Sequence, residues 1–228
     1  MNGENLQTDL CVTTEINLYY DFYKPAAAGK PLPLVVAVHG YGAHKRRMMR
    51  EAQAIADEKF AVVSLQAPHQ HFREVAAKHK VGFGWLTDYR PAESVRVHHR
   101  FILDVIEKLA DADAIDRNRI FLFGFSQACA LNFRFAFSYP QLLRGVLGVC
   151  GGIPGDLATN PLYEPTGAEV FYLYSRQDEF YPLEKFADCD AQLRSYLPHY
   201  QSKSYGAKHE ITDEMRADMK SWLEKRIL

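Results

Sequence analysis

Ser126 stands in Gly124-Phe125-Ser126-Gln127-Ala128, after the apolar run Ile120 to Phe123 and before a row of small helix formers. A hydroxyl there can cap the helix, fill a polar gap or act as a nucleophile. As a nucleophile it is weak near neutral pH. It needs a base for its proton, a carboxylate to hold that base in one tautomer, and N–H donors where negative charge develops. A strand-turn-helix that presents such a serine is sharp and strained, so the residues two before and two after must be small. Gly124 and Ala128 meet that need, Ala128 adding one methyl where a second glycine is usual.

The partners are sought at other strand ends. Asp178 comes four residues after an apolar run ending at Tyr174, where loops of an open α/β sheet gather. Glu179 is its nearest rival, while Asp188 and Asp190 read as a solvated helix face. Two histidines follow the acid, His199 and His209. His209 lies between a strand pattern and the last helix, in a loop that can reach back over the sheet; His199 precedes that strand at its opposite end. Val38-His39-Gly40-Tyr41-Gly42 ends another apolar run, and its glycines let a tight turn expose backbone N–H groups as one oxyanion donor, with the Gln127 N–H as the other. His39 reads as structural, satisfied by loop carbonyls. The chain order Ser126, Asp178, His209 is that of an α/β-hydrolase.

These residues need elements to carry them. β-rich runs at Leu34 to Val38, Phe60 to Leu65, Ile120 to Phe123, Leu143 to Cys150 and Val170 to Tyr174 alternate with helical patterns. That alternation predicts an α/β fold, a mostly parallel central sheet with helices on both faces. Residues 11 to 23 read as the start of an antiparallel hairpin at one edge. Met48, Ala52, Ile55 and Ala56 form one helical stripe, and Val95, His99, Ile102, Val105, Ile106 and Leu109 a second. Met215, Met219, Trp222, Leu223 and Ile227 mark a third, with Thr212 as its N-cap and Asp213 and Glu214 in its first turn. The segment from Pro68 to Pro91 fits neither period and is expected to form a pocket wall or lid.

The chain of 228 residues carries 27 basic and 28 acidic side chains, a formal net charge of -1, so no overall field favours nucleic acid or an anionic membrane. Without linker, repeat or charge block, one domain over 1–228 is expected. The basic cluster Lys45, Arg46, Arg47 and Arg50 reads as a solvated helix face, with attraction of an anionic substrate or surface as the alternative. The first residues lack the pattern of a signal peptide and no run suits a membrane span, so a cytoplasmic location is expected. Cys11, Cys129, Cys150 and Cys189 stand singly and read as reduced. His69-x-His71 and the neighbours His98 and His99 lack metal-site companions, and no phosphate-binding glycine loop occurs; neither metal nor cofactor is expected.

Gly-Phe-Ser-Gln after Ile-Asp-Arg-Asn-Arg-Ile (115 to 120), His-Gly-Tyr-Gly near the front and Gly-x-x-His near the end resemble the phospholipase/carboxylesterase group of α/β-hydrolases, which includes the acyl-protein thioesterases. The likeness spans roughly residues 33 to 225. It implies Ser126 as nucleophile, Asp178 as orienting acid, His209 as base, and Tyr41 and Gln127 as oxyanion N–H donors. It also makes Trp85, in Gly82-Phe-Gly-Trp-Leu-Thr-Asp, a wall of the acyl site, the alternative being a core aromatic. The chain departs from the family at Tyr174-Ser175, Ala43 and Tyr181, positions around the pocket that bear on substrate.

The expected function is cofactor-independent hydrolysis of a small-molecule ester or thioester. A peptidase or deacetylase-like hydrolase with the same three residues, and a hydrolase-shaped binding protein that turns nothing over, are the alternatives. Composition and motifs leave acyl chain length, leaving group and oligomeric state, a homodimer included, undecided.

Overall fold

Leu34 to Val38, Ala61 to Leu65 and Val146 with Leu147 are wholly apolar but for Ser64, and every one of these side chains is shielded from solvent. Only a strand covered on both faces leaves no alternation of apolar and polar residues. The computed structural model describes residues 6–26, 31–73 and 80–227. Within them the order is β1 (Tyr20–Tyr23), β2 (Leu32–Val38), α1 (Lys45–Ala56), β3 (Ala61–Leu65), β4 (His69–Phe72), β5 (Val81–Gly84), α2 (Pro91–Asp111), β6 (Ile115–Phe125), α3 (Gln127–Ser138), β7 (Gly145–Val149), β8 (Glu169–Ser175), α4 (Leu183–Tyr196), β9 (Tyr200–Tyr205) and α5 (Asp213–Glu224).

Seven strands form one sheet in the order β1-β3-β2-β6-β7-β8-β9. All neighbours run parallel except β1 against β3. Consecutive side chains of a strand point to opposite faces, and β8 shows where the helices sit. Phe171 stacks on Trp222 of α5, whereas Tyr172 meets Phe133 of α3 and Phe186 of α4. Helices α1 and α5 pack together on the first face, and α2 lies beside α3 on the second. Met48, Ala52, Ile55 and Ala56 turn inward from α1, and Thr212 caps α5 by accepting a hydrogen bond from the Met215 N–H at 3.2 Å. The sheet therefore has the expected architecture, and its parallel strands bring their C-terminal ends to one edge.

One expectation needs correction and another gains detail. Residues 11 to 23 do not begin a hairpin: only Tyr20–Tyr23 pairs, with β3, as an edge strand. The next strand, β2, lies on the far side of β3, so β1 and β2 do not pair with each other. The segment from Pro68 to Pro91 is also more regular than its sequence suggests. β4 and β5 pair antiparallel in a small separate sheet, register His69 to Gly84 and Phe72 to Val81; the intervening residues 74–79 lie outside those described. This hairpin is tied to the loop after β2 by the Gly42 N–H, which donates to the Phe83 carbonyl at 2.8 Å.

Among the described residues three histidines lie inside this fold: His39, His98 and His99 are 1%, 1% and 9% exposed. Burial pushes His39 and His99 down to about 4, and moves His98 in the same direction. The folded chain holds them neutral, whereas unfolded histidines take up protons near pH 6.5. Stability is thus complete above that pH and declines as pH falls toward about 4. Urea unfolding should show a lower midpoint at pH 5 than at pH 7.5, with proton uptake on unfolding in a range where ordinary carboxylates are still ionised. A midpoint unchanged over that range would contradict neutral burial.

Candidate active site

β6 ends at Phe125 and α3 begins at Gln127, leaving a single residue to make the turn. Ser126 does so with φ 57° and ψ -120°, a conformation that L-residues rarely adopt and that costs on the order of 1–3 kcal/mol. The Ser126 N–H donates to the Val149 carbonyl at 2.9 Å, which pins the turn to the end of β7. A Cβ at Gly124 would stand 2.6 Å from the Asn132 amide nitrogen and 3.3 Å from the Ala128 carbonyl carbon, so helix and strand approach only because glycine is there. Ala128 itself is fully buried, and its extra methyl is accommodated.

The loops after β8 and β9 are joined by backbone bonds: the Arg176 N–H donates to the Tyr205 carbonyl at 2.8 Å and the Gln177 N–H to the Ala207 carbonyl at 3.0 Å. Asp178 and His209 therefore sit on one cross-braced unit. The Asp178 side chain is wholly shielded, and its Oδ1 accepts the N–H groups of Phe180 and Tyr181, both at 2.9 Å. Its other oxygen, Oδ2, lies 2.7 Å from His209 Nδ1. An ionised carboxylate can only accept, so Nδ1 carries the proton and Nε2 presents its lone pair. That nitrogen lies 2.9 Å from Ser126 Oγ. Phe125 and Phe180 pack against the imidazole with ring centres at 4.8 and 4.9 Å.

Glu179 does something else. Its Oε2 accepts the His209 backbone N–H at 3.0 Å, so the two adjacent carboxylates hold one histidine at its ring and at its main chain. His199 lies just before β9, away from this edge. His39 is inside the sheet edge: its Nδ1 donates to the Gly40 carbonyl at 2.8 Å, and its Nε2 accepts the Ala67 N–H at 3.1 Å.

In the turn after β2 the N–H groups of Gly42 and Ala43 are engaged, by Phe83 and Gly40 respectively. The backbone N–H groups of Tyr41 and Gln127 donate to nothing among the described residues. Trp85 was expected as a wall of the acyl site, but it lines neither of the two clefts at the serine and is 1% exposed. Its indole N–H needs an acceptor once buried, and finds the His39 carbonyl at 2.9 Å. The Trp85 backbone N–H donates to Gln127 Oε1 at 2.9 Å, and Gln127 Nε2 donates to the Leu86 carbonyl at 2.8 Å. Residues 85 and 86 thus bridge the turn after β2 and the start of α3. The motif around Ser126 points to the Gln127 backbone alone; the clamp made by its amide side chain has no separate signal in the chain.

Ser126 and His209 lie where two clefts meet. The smaller, about 420 Å³, runs past Gly40, Met48, Glu51 and Ile211; the larger, about 690 Å³, runs past His71, Gln127, Tyr181 and Lys185. Tyr41, Arg73 and Phe180 border both.

A profile of the phospholipase/carboxylesterase family matches residues 25–227. The chain belongs to that family. Among its relatives are a protein assigned as an esterase, NocK of Nocardia uniformis subsp. tsuyamanensis, 28% identical over 169 residues, and acyl-protein thioesterase 1 of Eremothecium gossypii, 28% identical over 123 residues. These alignments cover 72% and 51% of this chain, and 44% and 51% of the relatives, so the chain spans about half the length of the curated proteins it matches. The carboxylesterase of Bacillus cereus superposes with a TM-score of 0.70 at 18% identity, over 92% of this chain and 94% of its own, a likeness of fold. An α/β-hydrolase fold is thereby established for this family member. Among the described residues no helix is long and apolar enough to cross a membrane.

The strain at Ser126 is testable without any substrate. Ser126→Gly should be more stable than Ser126→Ala by about 1 kcal/mol, because glycine adopts this φ and ψ freely. Equal urea midpoints, or a less stable glycine variant, would show that the turn is relaxed.

Proposed function

We propose that this chain is a serine hydrolase that cleaves carboxylic esters or thioesters through an acyl-enzyme on Ser126. The reading is carried by the line of hydrogen bonds from Asp178 through His209 to Ser126, which ends where both clefts open. The substrate carbonyl sits against Ser126 Oγ. As Oγ forms its bond to carbon, His209 Nε2 takes the hydroxyl proton, and the carbonyl electron pair moves onto oxygen. Asp178, already hydrogen-bonded to Nδ1–H, stabilises the imidazolium. The backbone N–H groups of Tyr41 and Gln127 donate to the oxyanion. Collapse breaks the bond to the leaving alkoxide or thiolate, which takes the proton from His209. Water then repeats the sequence on the acyl-enzyme, releasing the acid and restoring Ser126.

Strain in the serine turn favours this reading over a purely binding protein. A rare backbone conformation persists only where the surroundings enforce it, and here it presents a hydroxyl to a base. The contacts of Trp85 support a positioning role: its indole holds the carbonyl that precedes the Gly40-Tyr41 peptide, and its backbone is held by the side chain of Gln127.

Ser126→Ala should fold normally and lose roughly 10⁴-fold or more in kcat toward 4-nitrophenyl esters. Asp178→Asn should lose about 10⁴-fold by allowing the wrong tautomer, whereas Glu179→Gln should lose no more than about tenfold, the effect of one exposed hydrogen bond. Equal losses at 178 and 179 would overturn the assignment of the acid.

Trp85→Phe removes only the indole donor. Its kcat should fall roughly 10- to 100-fold with KM little changed, less than outright loss of an oxyanion donor. A variant in which KM rises and kcat is kept would place Trp85 in substrate binding instead.

A further inference from the structure

The larger cleft differs from the smaller in its charge. Glu51 and Glu210 stand in the smaller one, where Glu51 pairs with Arg216 through two hydrogen bonds, at 2.7 and 3.1 Å. The larger cleft has no carboxylate among its lining residues, yet Arg73 and Lys185 both line it. Neither forms an ion pair with a described residue. Arg47, in the smaller cleft, likewise forms no ion pair with a described residue, but that cleft also holds the carboxylates of Glu51 and Glu210, which the larger one lacks.

Arg73 is exposed, and its side chain runs close over the backbone of two glycines. A Cβ at Gly82 would come within 2.7 Å of Arg73 Cγ, and one at Gly42 would lie 3.5 Å from Nε and 4.0 Å from Cζ. Two glycines, one in β5 and one in the turn that carries Tyr41, leave the channel along which this side chain runs. Its guanidinium thus stands beside the turn proposed to hold the oxyanion, at the junction of the clefts. Lys185 sits at another side of the larger cleft, its ammonium 5.3 Å from the centre of the Tyr181 ring. Between the two cations the cleft presents aromatic surface: Tyr41 stacked on His71 at 4.6 Å, and Phe180, with Tyr41 62% and Phe180 71% exposed. Exposed aromatic surface beside a reactive serine suits the apolar body of a ligand, and two unmatched cations suit a negative charge on it.

We propose that the substrate is an ester or thioester bearing a carboxylate, on the arm that occupies the larger cleft, with Arg73 and Lys185 as specificity-determining residues. The proposal rests on the esterase reading above and narrows it. Arg73 lies just past β4 and Lys185 within α4, so the cleft receives one positive charge from each of two elements.

The test compares charged and neutral esters of matched size on the full chain. For the acyl arm, the 4-nitrophenyl monoester of adipic acid is set against 4-nitrophenyl hexanoate; the six-carbon diacid keeps its carboxylate from readily attacking its own ester. For the leaving arm, 4-(butyryloxy)benzoate is set against its methyl ester. In one of the two pairs kcat/KM for the anion should exceed that for the neutral ester by about 5- to 20-fold at low ionic strength, the scale of one or two partly exposed charge pairs. The ratio should shrink with added salt and fall close to one in the Arg73→Gln, Lys185→Gln double variant. Hydrolysis of the neutral esters with no preference for either anion would overturn the proposal and leave the esterase reading standing. A preference that survives the double variant would overturn it as well. Failure to hydrolyse any of the four would take the esterase reading down together with the proposal.

Discussion

A neutral imidazole has one proton and two nitrogens, so a hydrogen bond at one nitrogen decides what the other can do. Asp178 Oδ2, 2.7 Å from His209 Nδ1, accepts a hydrogen bond from that nitrogen and fixes the proton there, and Nε2 is left as an acceptor 2.9 Å from the Ser126 hydroxyl. Everything else at the sheet edge serves this alignment. The carboxylate is itself fixed by two backbone N–H groups, the loops that carry acid and base are braced to each other, and Glu179 restrains the histidine's main chain. Phe125 and Phe180 pack against the imidazole and limit the positions it can take.

Convergence of three points 126, 178 and 209 along the chain follows from the parallel sheet. Parallel strands send their C-terminal ends to one side, and each residue sits just past such an end: Ser126 after β6, Asp178 after β8, His209 after β9. The turn after β2 joins them because β2 is the hydrogen-bonded neighbour of β6, with Val38 opposite Gly124. Register therefore places Tyr41 and Gln127 close together, and the β4–β5 hairpin with residues 85 and 86 locks the two turns to each other.

The parts of this arrangement that were legible in the sequence are those with a local physical signature. Continuous apolar runs marked the buried parallel strands, small residues flanking a serine marked a tight turn, and acid and histidine just beyond strand patterns pointed to the same edge. The chain start misled, and the strand pairing inside the 68–91 segment was not visible, because their signal is not local. Tyr20–Tyr23 is a strand only because β3 offers it an edge, and His69–Phe72 alternates too weakly to show that it pairs with Val81–Gly84. Trp85 was ambiguous for a related reason: an indole reads the same in a core and in a pocket wall until its N–H partner, here the His39 carbonyl, is known. The position of Arg73 depends on two glycines forty residues apart, which no spacing rule connects.

The most direct measurement of the central claim is intact mass after a brief exposure to an activated ester, quenched at low pH, followed by peptide mapping. The account predicts a single acyl group, located on Ser126, that decays as product continues to appear. Steady turnover without any acylated protein, or an acyl group at another residue with Ser126 unmodified, would contradict it.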